Sequence, residues 1–114
     1  MIRRLDINCS AEFQKVYKVI VQLRPHLTEE RCSELLGEML KESYELWALE
    51  EDGSIKGLVG FRVYTDFVRG AHIYVDDLVV DKEARSQGIG ARLLEFVAQE
   101  ARLRNFPSLR LGCA

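Results

Sequence analysis

The chain reads as a mixed α/β (α+β) fold: a short strand, two helices, an antiparallel meander of three strands, a third helix and a last strand. Three observations predict it. Two apolar stripes at helical spacing follow the first strand, the apolar period changes to two at Tyr44, and a glycine-containing loop after Val80 leads into a third helical stripe. With 114 residues, 47% of them hydrophobic and 30% charged, the composition suits one globular domain over residues 1–114.

Taken in order, residues Ile2 to Ile7 alternate enough for a strand anchored by Ile2, Leu5 and Ile7. Ser10 is the expected cap of the first helix, Glu12 lies in its first turn, and Phe13, Val16, Tyr17, Ile20 and Leu23 recur at helical spacing before Arg24-Pro25 ends it. A second helix is expected from Thr28, with Glu29 and Glu30 at the favourable end of the dipole and Cys32, Leu35, Leu36, Met39 and Leu40 on one face. YELWALEE then reads as a strand, Asp52-Gly53 as a turn, and IKGLVGFRVYT as the returning strand. The chain turns again around Asp66 to Gly70 into AHIYVDDLVV. A helix from about Gly90 to Asn105 buries Leu93, Phe96, Val97 and Ala101, and after Pro107 the segment Leu109-Arg110-Leu111 forms the last strand, parallel to the one before the helix. The order β-α-α-β-β-β-α-β excludes a symmetric doubly wound sheet.

Composition removes several classes of function. The formal charge is -2, with Lys and Arg dispersed among Asp and Glu, so a nucleic-acid footprint is absent. No apolar run reaches membrane length, and MIRRLDINCS lacks the apolar core of a signal peptide, so a cytoplasmic location is expected. Cys9, Cys32 and Cys113 are odd in number and without a C-x-x-C pair, which points to reduced, mostly buried thiols and to no metal site.

The chemistry concentrates in Asp76 to Glu95, DDLVVDKEARSQGIGARLLE, a strand, a loop with two glycines and the start of a helix. A helix start offers unpartnered N–H groups and partial positive charge to an anion, and glycines let the backbone approach it. Two nucleotide loops are excluded by counting: no Lys follows Gly88 or Gly90 as a P-loop requires, and the dinucleotide fingerprint needs glycine where Leu93 stands. The segment Arg85-Ser86-Gln87-Gly88-Ile89-Gly90 instead resembles the acyl-CoA pyrophosphate loop, R/Q-x-x-G-x-G/A, of the GNAT-type N-acetyltransferase superfamily. Its surroundings, YVDDLVVDKEARSQGIGARLL, are similar to that family's strand-loop-helix block, and the order of elements agrees along the chain.

The resemblance implies an acetyl-CoA site. In it the N–H groups from about Gln87 to Ala91 hold the pyrophosphate, with Arg85, Gly88, Ile89 and Gly90 shaping the loop. Leu78 and Val80, flanking Val79, bond the pantetheine arm through their backbones. Arg92 lies in the first helical turn, where the dipole disfavours a cation unless a phosphate is bound.

Acetyl transfer to an amine needs that amine neutral, and a lysine-like amine at pH 7 pays about 4 to 5 kcal/mol for losing its proton. Asp76 and Asp77 lie on the strand leading to the loop; strand alternation sends them to opposite faces, so at most one faces the thioester. Resemblance to the polyamine-acetyltransferase branch assigns proton removal to Asp76, with Asp77 second and a water relay compensating for the short side chain. An N–H freed by a bulge near Leu78 or Val79 would serve the oxyanion. His26, in a proline-containing connection, and His72, at a strand start, are further candidates for the base, each more often structural or exposed. Glu29, Glu30, Glu38, Glu42, Glu45, Glu50 and Glu51 make the first half acidic, which suits a cationic amine or a solvated helix face. Trp47, Tyr64 and Tyr74 are core aromatics first and channel walls second.

The family pattern normally continues after the fifth strand with a helix, further strands and a tyrosine that protonates the leaving thiolate. This sequence stops at Leu111-Gly112-Cys113-Ala114. The expected function is therefore direct transfer of an acetyl group from acetyl-CoA to a primary amine: a small amine, a polyamine, or a lysine or N-terminal amine. The alternatives are a non-catalytic acyl-CoA-binding or interaction module and a fragment of a longer enzyme. A sheet ending at the last strand also exposes an edge through which a homodimer can form.

Overall fold

The three apolar stripes become helices and the period-two segments become one sheet. The computed structural model describes residues 1–112. Its elements are β1 (Ile2–Arg4), α1 (Ser10–Leu23), α2 (Glu29–Leu40), β2 (Glu45–Glu51), β3 (Ser54–Asp66), β4 (Gly70–Val80), α3 (Ile89–Leu103) and β5 (Leu109–Leu111), with a 3-10 turn over Lys82–Ala84. The strands lie in the order β1-β2-β3-β4-β5. Neighbours run antiparallel except β4 and β5, which are parallel as the strand-helix-strand reading predicts.

Each face of the sheet carries a helical layer. Leu46, Ala48, Leu58 and Val79 pack with Val16 and Val19 of α1 and Cys32 and Leu36 of α2. On the other face Leu49, Val59, Phe61, Ile73 and Val75 pack with Ile89, Leu93, Val97 and Ala101 of α3. Burial on both faces is why β2 and β3 are so rich in apolar residues.

Local chemistry explains the boundaries. Asp52 and Gly53 both have positive φ, 55° and 77°, as a two-residue primed hairpin turn requires. Thr28 caps α2 as expected, its Oγ1 accepting the Arg31 N–H at 3.1 Å. Ser10 does not cap α1: it is the first helical residue, and Cys9, extended and without a capping side-chain bond, holds the cap position. The first strand ends at Arg4 rather than Ile7, because the Asp6 carboxylate accepts the Asn8 N–H at 3.1 Å and turns the chain. Leu5 still donates to the Leu46 carbonyl at 2.9 Å. Cys32 is buried, but Cys9 is exposed, against the expectation of mostly buried thiols; Cys113 lies outside the described residues. No helix among the described residues is long and apolar enough to cross a membrane.

Candidate active site

The site is built on an irregularity in β4. Gly60 pairs with Asp77 but the next residue, Phe61, pairs with Val75, so Asp76 is an extra residue with no partner on β3. The bulge is thus at Asp76, not at Leu78 or Val79. Its effect is a change of phase. Before it, the Ile73 N–H donates to Ser108 and the Val75 carbonyl accepts from Gly112, so odd-numbered backbone groups face β5. After it, the Asp81 N–H donates to Lys56 at 2.9 Å, so odd-numbered groups face β3, and Leu78 and Val80 turn theirs the other way. Side chains switch in step: Ile73 and Val75 belong to the α3 layer, and so do Leu78 and Val80.

Among the described residues, β4 has a strand partner on that side only at Ile73 to Val75, opposite Leu109 to Leu111. Beside this pairing lies a gap of about 120 Å³ lined by Asp76, Asp77, Leu78 and Gly112. The backbone groups of Leu78 and Val80 open toward this side, ready to pair with an extended ligand in the manner of a missing strand.

The bulge also brings the two carboxylates together, contrary to the expectation from simple alternation. Asp77 Oδ2 accepts a 2.7 Å hydrogen bond from the Tyr44 hydroxyl. Asp76 Oδ2 lies 3.2 Å from Arg62 Nε, at ion-pair distance but outside hydrogen-bond alignment, so neither atom has a hydrogen-bond partner. The Arg62 guanidinium in turn stacks over the Tyr44 ring at 5.6 Å and pairs with Glu42 at 2.8 Å. Burial raises the Asp76 pKa above the ordinary aspartate value; Arg62 opposes this and the Asp77 charge adds to it. Burial, then the Asp77 charge and hydrogen bond, push the Tyr44 hydroxyl well up, so Tyr44 stays protonated and donates. Gly60 makes room for this tyrosine, since any Cβ there would overlap its hydroxyl.

The glycine loop joins β4 to α3. Gly88 caps the helix in the left-handed region, φ 73° and ψ 17°, and Ser86 is also left-handed at φ 69°. No side chain among the described residues caps α3 and no acidic residue lies in its first turn, so the N–H groups of Ile89, Gly90 and Ala91 have no partner within the helix and the positive end of the dipole is uncompensated there. Gly90 has space for a methyl group, the nearest atom being Val80 Cγ2 at 3.6 Å. Arg92 reaches Glu51 at 3.5 Å, while Gln87 and Arg85 are exposed on the loop. Gln22 of α1 ties the loop to the sheet, donating to Asp81 Oδ1 at 2.7 Å and accepting from the Lys82 N–H at 2.8 Å.

Other expected site residues lie elsewhere. His72 is fully buried; Arg110 Nε donates to its Nε2 at 3.1 Å, and Nδ1, 2.9 Å from the Gly70 carbonyl, is then the donor to it. His26 is exposed on the α1–α2 connection. Trp47 packs on Phe96 at 4.7 Å in the α3 layer, away from the carboxylates, whereas Tyr64 and Tyr74 meet edge to face at 5.6 Å near His72. The acids of the first half divide: Glu50 pairs with Arg3, Glu45 with Arg104, Glu42 with Arg62 and Glu51 with Arg92, while Glu29, Glu30 and Glu38 are exposed on α2. Under α1 and α2 lies a second, larger cavity of about 530 Å³ with largely apolar walls, which reaches Tyr44 and Asp77. Tyr44, Arg62 and Gln22 are the site residues that sequence reasoning missed, since only the β2–β3–β4 register and the α1 docking bring them to the bulge.

Comparison with known proteins agrees with this architecture. The Acetyltransferase (GNAT) family model matches residues 11–114. The uncharacterized N-acetyltransferase YhdJ of Bacillus subtilis (strain 168) is 32% identical over 103 residues, covering 90% of this chain and 72% of that protein. In structure the chain is similar to a GNAT family acetyltransferase of Staphylococcus aureus, with TM-score 0.87, 19% identity and coverage of 100% of this chain and 86% of the other. It is also similar to the aminoglycoside N-acetyltransferase AAC(6')-Iy, solved in complex with CoA, at TM-score 0.81 and 15% identity, covering 100% and 76% of the two chains. The phase shift at Asp76, the gap beside β4, the glycine-capped α3 and the match over residues 11–114 converge: the chain belongs to the GNAT acetyltransferase family and is an N-acetyltransferase.

Proposed function

We propose that the protein transfers an acetyl group from acetyl-CoA directly to a primary amine, with no covalent enzyme intermediate. The carrying observation is the bulge at Asp76, which turns the Leu78 and Val80 backbone groups toward the open side of β4 and sets two carboxylates beside the gap. Acetyl-CoA supplies an activated acyl carbon, to which the amine nitrogen bonds as the C–S bond breaks and CoA departs as a thiolate that takes its proton from solvent. The N–H groups of Ile89, Gly90 and Ala91 hold the pyrophosphate, with Arg85, Gln87 and Arg92 around it and Gly88 setting the turn. Leu78 and Val80 orient the pantetheine arm by strand-like bonds, and Val79 anchors the strand by its side chain in the α1 layer. The Leu78 N–H is placed for the carbonyl oxygen as charge develops.

Asp76 accepts the amine proton. Burial keeps its carboxyl more basic than an ordinary aspartate, a property suited to a base, and the Arg62 charge opposes that rise. Asp77, fixed by Tyr44, attracts and orients the incoming amine. Thiol release from acetyl-CoA with a panel of primary amines, beside calorimetric titration with CoA, tests the reading. Release with at least one amine is expected; CoA binding without release on any amine would leave an acyl-CoA-binding module instead.

A further inference from the structure

We infer that the amine acceptor is a monoamine with an apolar body, bound in the cavity beneath α1 and α2; this rests on the acetyl transfer proposed above. The cavity, about 530 Å³, is within the size range of small-molecule sites. Leu27, Leu35, Leu36, Met39 and Val79 supply its walls, and Asp77 with the Tyr44 hydroxyl forms a polar end. Leu23 and Asp77 line both this cavity and the gap beside β4, so the Asp77 carboxylate marks the junction of the two. An ammonium group fits that junction, and the carbon skeleton attached to it has only the apolar walls to occupy. The rim carries Arg24 and His26, both exposed, and no carboxylate. A second ammonium group, as in a diamine or polyamine, would leave water for an apolar wall or approach Arg24. Of the acids that suggested a polycation, Glu42, Glu45, Glu50 and Glu51 are paired with arginines, and the exposed Glu29, Glu30 and Glu38 do not line the cavity. The geometry therefore selects against the acceptor that overall acidity favours.

The test is steady-state thiol release with butylamine, hexylamine, 2-phenylethylamine, cadaverine and spermidine at fixed acetyl-CoA. Each buried methylene is worth roughly fourfold in affinity, so KM should fall on the order of tenfold from butylamine to hexylamine. The apolar monoamines should exceed cadaverine and spermidine in kcat/KM by at least about tenfold. Leu35→Trp, which fills the cavity, should raise KM for hexylamine by about tenfold and leave KM for acetyl-CoA unchanged. Arg24→Glu should narrow the gap between hexylamine and cadaverine. A flat chain-length series, a preference for spermidine, or a Leu35→Trp variant that leaves hexylamine unaffected overturns the inference while acetyl transfer stands. If no amine is acetylated although CoA binds, acetyl transfer itself fails, and hexylamine binding by calorimetry then decides the cavity separately. Sedimentation showing a dimer that Leu35→Glu dissociates would assign the apolar walls to a second copy and overturn it as well.

Discussion

At the scale of single residues, Asp76 is held between opposing influences. Burial and the neighbouring Asp77 raise its pKa, and Arg62 pulls it down. A base is lost when it is protonated, so the acid limb of kcat/KM should lie above the 3.8 of an ordinary aspartate. Arg62→Met removes the opposing charge and should shift that limb to higher pH, as a pH–rate profile will read. Asp76→Asn should lower kcat by about 10² to 10⁴ with CoA affinity retained by calorimetry, the usual range for a lost general base. Stability should behave differently from activity. A carboxyl whose folded pKa is raised favours the folded state when protonated, and that contribution is lost as pH rises from 3.8 through the folded value. Asp76→Asn should therefore unfold no earlier than the native protein in a thermal melt at pH 7. Such a residue is kept for chemistry and not for the fold.

At the scale of elements, the loop before α3 separates two glycines that look equivalent in the sequence. Gly88 has a φ of 73°, so Gly88→Val should cost about 1 to 3 kcal/mol in denaturant unfolding and weaken CoA binding. Gly90 is helical with room for a methyl group, so Gly90→Ala should leave stability unchanged or raise it by up to about 1 kcal/mol. The same contrast bounds what can be read in advance. Helices and strands were legible because their signals are local: the stripe Phe13 to Leu23, the period of two after Tyr44, and Asp52-Gly53 with both residues left-handed. The turn between β4 and α3 was legible from its glycines, Gly88 and Gly90. The bulge was not, because it is defined by pairing Gly60 with Asp77 and Phe61 with Val75, a comparison across the β3–β4 hairpin that no short window contains. The Tyr44–Asp77 bond and the Gln22 clamp were hidden for the same reason, their partners being 33 and 59 to 60 positions apart.

At the scale of the whole molecule, buried ion pairs join layers that hydrophobic contact alone would let slide. Arg104, at the end of α3, forms two bonds to Glu45 of β2 at 2.8 and 2.9 Å, bonds Glu100, and covers the Phe61 ring. Arg104→Ala leaves the buried Glu45 with the Trp47 N–H at 3.1 Å and only a long 3.9 Å contact to Arg4, and should cost about 2 to 4 kcal/mol, near the lower end for broken buried pairs. Burial raises the Glu45 pKa, but the bonds from Arg104 and Trp47 outweigh it and hold it below 4.5. A lowered folded value means stabilisation that is complete above 4.5 and lost as pH falls through the folded pKa; Glu50, lowered by its Arg3 bond, acts in the same direction. Acid unfolding monitored by circular dichroism should accordingly begin at higher pH in Arg104→Ala.

The extra residue in β4 finally makes the count of residues there matter as much as their identity. Inserting a residue between Gly60 and Phe61, opposite Asp76, would let β3 and β4 pair without interruption, yet every later position of β4 would then exchange sides. Leu78 and Val80 would turn their backbone groups to β3, and Asp77 and Val79 would inherit the open side. Leu78 and Val80 would also be driven out of the α3 layer, where they now pack. A residue added at a hairpin tip such as Phe67-Val68 is absorbed there, but one added opposite the bulge readdresses every group of β4 that follows.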